Sequence, residues 1–352
     1  MQVDYLIVGQ GICGTMLSWM LRKQQLSFVV IDEQRKNAAS MVSAGIINPV
    51  TGRRYAYTWM IDEVMPFAIG KYRELEKDLN IDLVTDTSII DFFPSPQMRS
   101  AFLERLEEDS RYLHSFPDQN NFNTSLNYEF GCGEIKPVYS IDIRLLLERW
   151  RTELTGTQRL LEEAFVHQEL VIEKGFVKYK DIEASKIIFC DGVESAGSPW
   201  FDLLPFAPNK GEALIIECKE LSRKHIFKKG LLLTPYGSEN LFWVGSNYQW
   251  EFDNDEPSKT FYDQTERLLK AWLKPEFKVV EHLAAVRPAT IERRPFVGLH
   301  PQHPELGLLN GMGTKGASLA PFFASNFVQH LVDETAIQPE ADIKRFSRIL
   351  SR

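Results

Sequence analysis

The spacing of apolar residues changes along this chain, and the changes divide it into elements. An unbroken apolar run from Val3 to Val8 has the length and Val/Ile content of a strand buried on both faces. From Ile12 the rhythm becomes that of one helix face, continued by Met16, Leu17, Met20 and Leu21. Phe28 to Ile31 predicts a second strand, ending on Asp32. Longer strands are predicted in "IDLVTDTSIIDFF" and "GEALIIECKE", and the pair "LLLTPYG" and "NLFWVGS" predicts an antiparallel hairpin turning at Gly237 to Asn240. Helices are expected near Pro96 to Leu113 and Ile141 to Leu154, and strands at Lys186 to Cys190 and Leu306 to Leu309. Leu319, Phe323, Phe327 and Leu331 then recur at i, i+4 spacing, and Pro321 is expected in the first turn of that helix, which starts it near Ala317. The fold class is therefore α/β: a Rossmann-like dinucleotide-binding domain with an inserted α+β domain built on a mixed, largely antiparallel sheet.

The first turn carries chemistry. Gly9, Gly11 and Gly14 have G-x-G-x-x-G spacing between a strand and a helix, and Asp32 follows about twenty residues later. Gly9 allows the tight turn, Gly11 lets backbone approach a pyrophosphate, and Gly14 permits close packing. The phosphates would sit on the helix N-terminus, where unpaired N–H groups favour negative charge. A carboxylate at position 32 suits ribose hydroxyls and opposes a 2′-phosphate, which argues against NADP but leaves NAD and FAD open.

The chain has 352 residues, enough for one large or two medium domains. No apolar run is long enough for a membrane span, and no signal peptide is visible. The four cysteines are dispersed without metal-ligand spacing, so no metal site is expected and a reducing cytoplasm is the expected location. Cys13 reads as a small apolar filler. A net charge of −8 disfavours nucleic acid as a partner. The sequence leaves room for a homo-oligomer and does not decide it.

The segment "NGMGTKG" forms a second glycine loop at a second helix start. One dinucleotide has one pyrophosphate, already placed at Gly9 to Gly14. The second positive helix end therefore suits another group that becomes negative, such as the N1/C2 carbonyl edge of a reduced flavin, and Lys315 would add a full charge.

With these segments in hand, the chain resembles the FAD-dependent oxidoreductases typified by D-amino-acid oxidase and glycine oxidase, a family that includes sarcosine oxidase. The resemblance spans nearly the whole sequence. "GQGICG" and Asp32 look like the ADP-binding fingerprint, and "SAGIINP" (Ser43, Ala44, Gly45, Ile46) like the loop beside the flavin. Val166 in "EAFVHQEL" is similar to the position whose backbone meets the adenine, and Gly192 in "IIFCDG" ends a strand that reaches the cofactor. "VRPATIERRPFVG" followed by "NGMGTKGASLAP" is the most specific pair and places Gly311, Met312, Gly313, Thr314, Lys315 and Gly316 at the cofactor.

The resemblance implies oxidation of an amine or amino-acid-like C–N bond by hydride transfer to flavin N5, with O2 as acceptor. Two alternatives stay open: a flavin dehydrogenase acting on a 2-hydroxy acid with a quinone or carrier acceptor, and an FAD-holding protein without turnover. Noncovalent FAD is expected, since the attachment cysteine of sarcosine oxidases has no counterpart between Glu281 and Ala320. Arg287 is similar in position to the family's substrate-carboxylate arginine, and its planar fork suits a carboxylate. The other reading of Arg287 is a structural ion pair with Glu292. Lys315 is assigned to the flavin charge or to the substrate, Tyr248 to the pocket, and Arg53 and Arg54 to gripping an anionic substrate. Leu232 and Thr314 depart from glycine oxidase, where a tyrosine and a second arginine are found, so a small anionic substrate other than plain glycine is expected. The domain division follows: 1–80, 141–205 and 285–352 for FAD, and 81–140 and 206–284 for substrate.

Overall fold

The first strand, Gln2–Val8, has its C-terminal half sealed from water because parallel partners flank it on both sides: Ile182–Phe189 and Phe28–Ile31. The structure is a computed structural model, and it describes every residue except Ser238 and Arg352. The first sheet runs in the order Leu170–Glu173, Phe176–Tyr179, Ile182–Phe189, Gln2–Val8, Phe28–Ile31, Leu160–Leu161. Leu306–Asn310 adds in parallel to the last residues of Ile182–Phe189, and Phe296–Leu299 pairs antiparallel with it. The parallel strands Gln2–Val8, Phe28–Ile31, Ile182–Phe189 and Leu306–Asn310 point their C-terminal ends the same way. Each turn that follows one of them opens on the same edge of the sheet, the edge where open α/β sheets bind ligands.

The second sheet is mixed and largely antiparallel, in the order Lys278–Arg287, Asn209–Glu217, Leu241–Gly245, Leu231–Pro235, Ile226–Lys229, Val84–Phe92, Cys132–Ile141, Ile46–Ile47. The hairpin expected from the sequence pairs Leu232 with Gly245 and Thr234 with Trp243; its expected turn, Gly237 to Asn240, includes Ser238, which lies outside the described residues. Ile46–Ile47 continues from the "SAGIINP" loop into this sheet, so that loop stands where the two sheets meet.

Two expectations shift. The predicted helix near Pro96 to Leu113 ends at Glu108, and Leu113–Ser115 instead adds a short strand to the second sheet. The C-terminal helix is Gly316–Asp333, which places Pro321 in its second turn rather than its first. Proline there deprives the Ala317 carbonyl of its helical N–H. The buried Tyr72 hydroxyl donates to that carbonyl at 2.7 Å and replaces the missing bond. Leu319, Phe323 and Phe327 face the core as their spacing requires.

Candidate functional site

A crevice of about 540 Å³ runs along the C-terminal edge of the first sheet and under the second, within the size of ligand-holding clefts. Gly9, Gly11 and Ile12 line it, and so do Met312, Gly313, Thr314, Lys315 and Gly316. The two glycine loops are thus brought into one cavity from opposite ends of the chain. They also touch, because a methyl group added at Gly316 would fall 3.2 Å from Ile12 Cγ2. Asn310, almost fully buried, fastens the second loop to the first sheet: its Nδ2 donates to the Gly192 carbonyl at 2.8 Å and to Ser195 Oγ at 2.9 Å, while its Oδ1 accepts from Gly311 N at 2.8 Å.

The first turn is built for close approach. Gly9 has φ +95° and a Cβ there would strike the Cys190 carbonyl at 2.6 Å; a Cβ on Gly14 would lie 1.9 Å from the Gly9 carbonyl. Gly14 therefore packs the helix onto the turn itself, not only onto the strand. Gly11 caps the helix Ile12–Lys23 without any side chain, and Ile12 N–H donates to Ser40 Oγ at 3.1 Å. Asp32 lines the crevice; it accepts from Gln10 N and Gln34 N, both at 2.8 Å. The backbone-lined glycine turn, with a carboxylate beyond it, fits the adenosine diphosphate part of a dinucleotide. Ser43, Ala44, Gly45 and Ile46 line the middle, and Gly45 (φ +65°) lets its loop lie on the Ile141 carbonyl. Gly192 also lines the crevice, next to Asp191, whose carboxyl burial pushes up to about 7. Cys13 is walled in, and burial pushes its thiol up to about 12, so it behaves as the apolar filler expected.

At the other end stands Arg287, the last residue of the strand Lys278–Arg287. Its Nη1 donates to Asn209 Oδ1 at 2.8 Å and to the Asn247 carbonyl at 3.2 Å, and its Nη2 to Ser246 Oγ at 2.8 Å. The guanidinium lies flat across Gly211, where a Cβ would fall 1.7 Å from Nη2, and over the Tyr248 ring at 4.9 Å. All of these partners are neutral. Glu292, the alternative partner, stands 3.4 Å from Arg345 instead. Burial lowers the Arg287 pKa, with Tyr248 opposing, and among the described residues no carboxylate balances its charge. Lys315 is a second cation on the same wall without a hydrogen-bond or ion-pair partner among the described residues; burial, then Arg294 and Arg293, push its pKa down. Leu232, Trp243 and Ala285 complete an apolar wall beside these charges.

Four expected positions stand elsewhere. Arg53 and Arg54 are exposed in the turn between Val50–Thr51 and Ala56–Tyr57, outside the lining, because that tight hairpin turns Tyr55 inward and its neighbours outward. Val166 is exposed and outside the lining, with its N–H given to Tyr179 Oη at 3.2 Å; Phe165 and His167 line the crevice on either side of it. Gly311 sits behind the lining, where φ +78° sets the turn and a Cβ would press on Thr290. Tyr248 does line the crevice, though 59% exposed.

Sequence reasoning missed Arg151, Asn310, Ser40, Asn209 and Ser246. Gly211, the first residue of a predicted strand and the third of the observed one, is the one sequence hint of a close approach there.

Comparison with known proteins supplies the family. Residues 149–329 match the model of the DAO family, described as FAD dependent oxidoreductase. The fold is similar to that of glycine oxidase from Geobacillus kaustophilus (TM-score 0.80, 16% identity, 98% of each chain covered). It is also similar to iminodiacetate oxidase from Chelativorans sp. BNC1 (TM-score 0.76, 17% identity, 98% of each chain covered). A third likeness is to L-alpha-glycerophosphate oxidase from Mycoplasma pneumoniae with FAD bound (TM-score 0.75, 14% identity, 96% of this chain and 97% of that one). No helix among the described residues is long and apolar enough to cross a membrane.

Proposed function

From the premise that this chain belongs to the DAO family of FAD-dependent oxidoreductases, we propose that it oxidises the C–N bond of a small anionic amine or amino-acid-like substrate, with O2 as acceptor. Bound FAD supplies the hydride acceptor for that bond. The reading rests on one observation above the others: Arg287, a cation whose hydrogen-bond partners are all neutral, faces a crevice shared with both glycine loops.

Gly9, Gly11 and the start of the helix Ile12–Lys23 would hold the diphosphate, Asp32 the ribose, and residues 43–46 and 312–316 the flavin half. The nucleotide is assigned to segments 1–80, 141–205 and 285–352, and substrate contacts to 81–140 and 206–284 together with Arg287. Arg287 would take the substrate carboxylate with two parallel N–H···O bonds, fixing which C–H faces the flavin. Leu232, Trp243 and Ala285 keep water from that C–H. FAD is held noncovalently in this reading: Cys13 and Cys190, the cysteines at the crevice, are buried thiols with pKa values raised by burial, poor nucleophiles.

The test is anaerobic reduction of the flavoprotein by a panel of amines, amino acids and 2-hydroxy acids, with peroxide measured on readmitting oxygen. Bleaching by amines with peroxide formation is the expected result. Bleaching by hydroxy acids alone, or dye reduction without peroxide, would replace the proposal with a hydroxy-acid dehydrogenase. No bleaching by any of them would leave an FAD-holding protein.

A further inference from the structure

The carboxylate seat has a back side. Along the strand Asn209–Glu217, residues alternate between faces: Asn209 and Gly211 meet the Arg287 guanidinium, and Glu212 points the opposite way. Glu212 is 0% exposed, and its carboxylate is surrounded by donors. Ser258 gives it both N–H (2.6 Å to Oε2) and Oγ–H (2.7 Å to Oε1), and Asn247 Nδ2 approaches Oε1 at 3.4 Å. The Glu212 N–H in turn donates to Asn247 Oδ1 at 2.7 Å. His282 Nε2 stands 3.0 Å from Oε2 without the alignment of a good hydrogen bond, and burial lowers its pKa.

These contacts fasten residues 246–258, a strap between the strand Leu241–Gly245 and the helix Lys259–Trp272. Gln249 exchanges both backbone bonds with Lys210, at 2.9 and 3.0 Å, and Lys210 Nζ reaches the Glu256 carbonyl. The strap supplies two of the three groups that accept from Arg287, Ser246 Oγ and the Asn247 carbonyl, together with the Tyr248 ring. Glu212, with no contact to Arg287, is thus joined through Asn247 to the wall of that arginine's seat, by its backbone N–H at 2.7 Å and by its carboxylate at 3.4 Å.

We propose that Glu212 is the positioning residue of the carboxylate seat: through Asn247 it fixes the strap that holds the Arg287 guanidinium in register with a substrate carboxylate. The proposal rests on the reading of Arg287 as that seat. Glu212 touches neither substrate nor cofactor in this role. Because the arginine–carboxylate bond forms on binding and persists into the transition state, loosening it raises KM and leaves kcat nearly unchanged.

The test uses the FAD-bound full chain, with acetate as the probe and the perturbation of the flavin absorption band as the readout of binding. Glu212→Gln keeps shape but turns an N–H toward the Ser258 donors, and is expected to weaken acetate about tenfold, as loss of one buried partner would. Asn247→Ala cuts the link from the other side and should weaken acetate to a similar degree, with the double variant no worse than either single one. Ser258→Ala removes the N-cap of the helix Lys259–Trp272, whose Oγ accepts from Phe261 N at 3.3 Å, and one donor to Glu212, while both Asn247 bonds stay, so it should lower thermal stability and weaken acetate clearly less than Asn247→Ala does. An active amine substrate should reproduce the split, with KM raised and kcat kept.

Full acetate affinity in Glu212→Gln or in Asn247→Ala, while Arg287→Ala loses it, overturns the positioning role alone. Equal weakening by Ser258→Ala also overturns it, because the effect would then come from helix stability. Wild-type protein indifferent to acetate, or Arg287→Ala indistinguishable from wild type, overturns the seat itself and the positioning role with it.

Discussion

Of the three arginines that line the crevice, Arg151 and Arg287 are held in opposite ways. Arg151, on the helix Ile143–Gly156 and only 8% exposed, gives Nη1 to Asp32 Oδ1 at 2.8 Å and Nη2 to Glu162 Oε2 at 3.1 Å. Its remaining bonds go to Gln10 Oε1 and the Asp32 carbonyl, so it ties the glycine turn to the acidic residue that follows it. Arg287 is held as firmly, but by an amide, a carbonyl and a hydroxyl. Neutral acceptors orient a guanidinium without cancelling its charge. The first arginine is therefore spent inside the chain, whereas the second still attracts an anion from solution.

That contrast breaks first at Arg287. Arg287→Ala should weaken a carboxylate ligand by about 2 to 5 kcal/mol, the range for removing one side of a desolvated charge pair, while the flavin spectrum and the folding stability stay as they were. Loss of flavin would make Arg287 scaffold like its counterpart. Arg151→Ala should do the reverse. With Asp32 left holding only backbone donors, folding stability should fall by about 3 kcal/mol, at the lower end for breaking a buried pair because Glu162 is exposed. Chemical denaturation would measure this, and an unchanged midpoint would erase the distinction between the two arginines.

Sequence alone separates these residues only in part. Arg287 is singled out only by the family resemblance of "VRP" ahead of the second glycine loop, whereas the two loops are legible because tight turns demand glycine at fixed spacing. The first two strands, the existence of the hairpin and the helix face of Leu319, Phe323 and Phe327 follow from the apolar pattern, whereas strands such as Cys132–Ile141 and the hairpin register depend on sheet pairing. Arg151 was not legible, because its role depends on a helix packing beside Asp32 across more than a hundred residues of chain. Asn310 and Asn209 are of the same kind, short polar side chains whose partners are set by sheet pairing. Pro321 stands in the second turn, where the sequence expects it in the first, because Tyr72, from another helix, repairs the bond that proline removes.

Lys315 tests the comparison at smaller amplitude, as a second cation without a partner among the described residues. If it faces the flavin, Lys315→Met removes a counter-charge to the reduced form, and the midpoint potential should fall by on the order of 30 mV, about 1.4 kcal/mol for a two-electron couple. Spectroelectrochemistry on the FAD-bound protein reads this directly. An unchanged potential with weakened acetate binding would move Lys315 to the substrate side, making it a partner of Arg287.

The carboxylates repeat the contrast with signs exchanged. Asp32 has an arginine beside it, while Asp191, at the end of the strand Ile182–Phe189, is hydrogen-bonded by neutral donors, Ser195 Oγ and Asn310 Nδ2. Burial is the largest influence on Asp191 and pushes its carboxyl up to about 7, far above an unfolded aspartate at about 3.9. The folded state therefore holds this proton more tightly than the unfolded chain does. The stability so gained is complete below pH about 4 and is lost as pH rises through about 7. Asp191→Asn keeps an oxygen for Asn310 and cannot ionise. Between pH 5 and pH 8 the wild-type apoprotein should therefore lose about 1 kcal/mol more than the variant, roughly 2 °C in Tm after allowing for the open side of the crevice. Asp191 also lies against the Gly9 turn, its Cα 3.0 Å from where a Gly9 Cβ would be, so its ionisation puts negative charge beside the place assigned to the diphosphate. FAD affinity should then decline over the same window in the wild type and stay level in Asp191→Asn, whereas parallel pH profiles for the two proteins would mean that Asp191 is already ionised below neutrality.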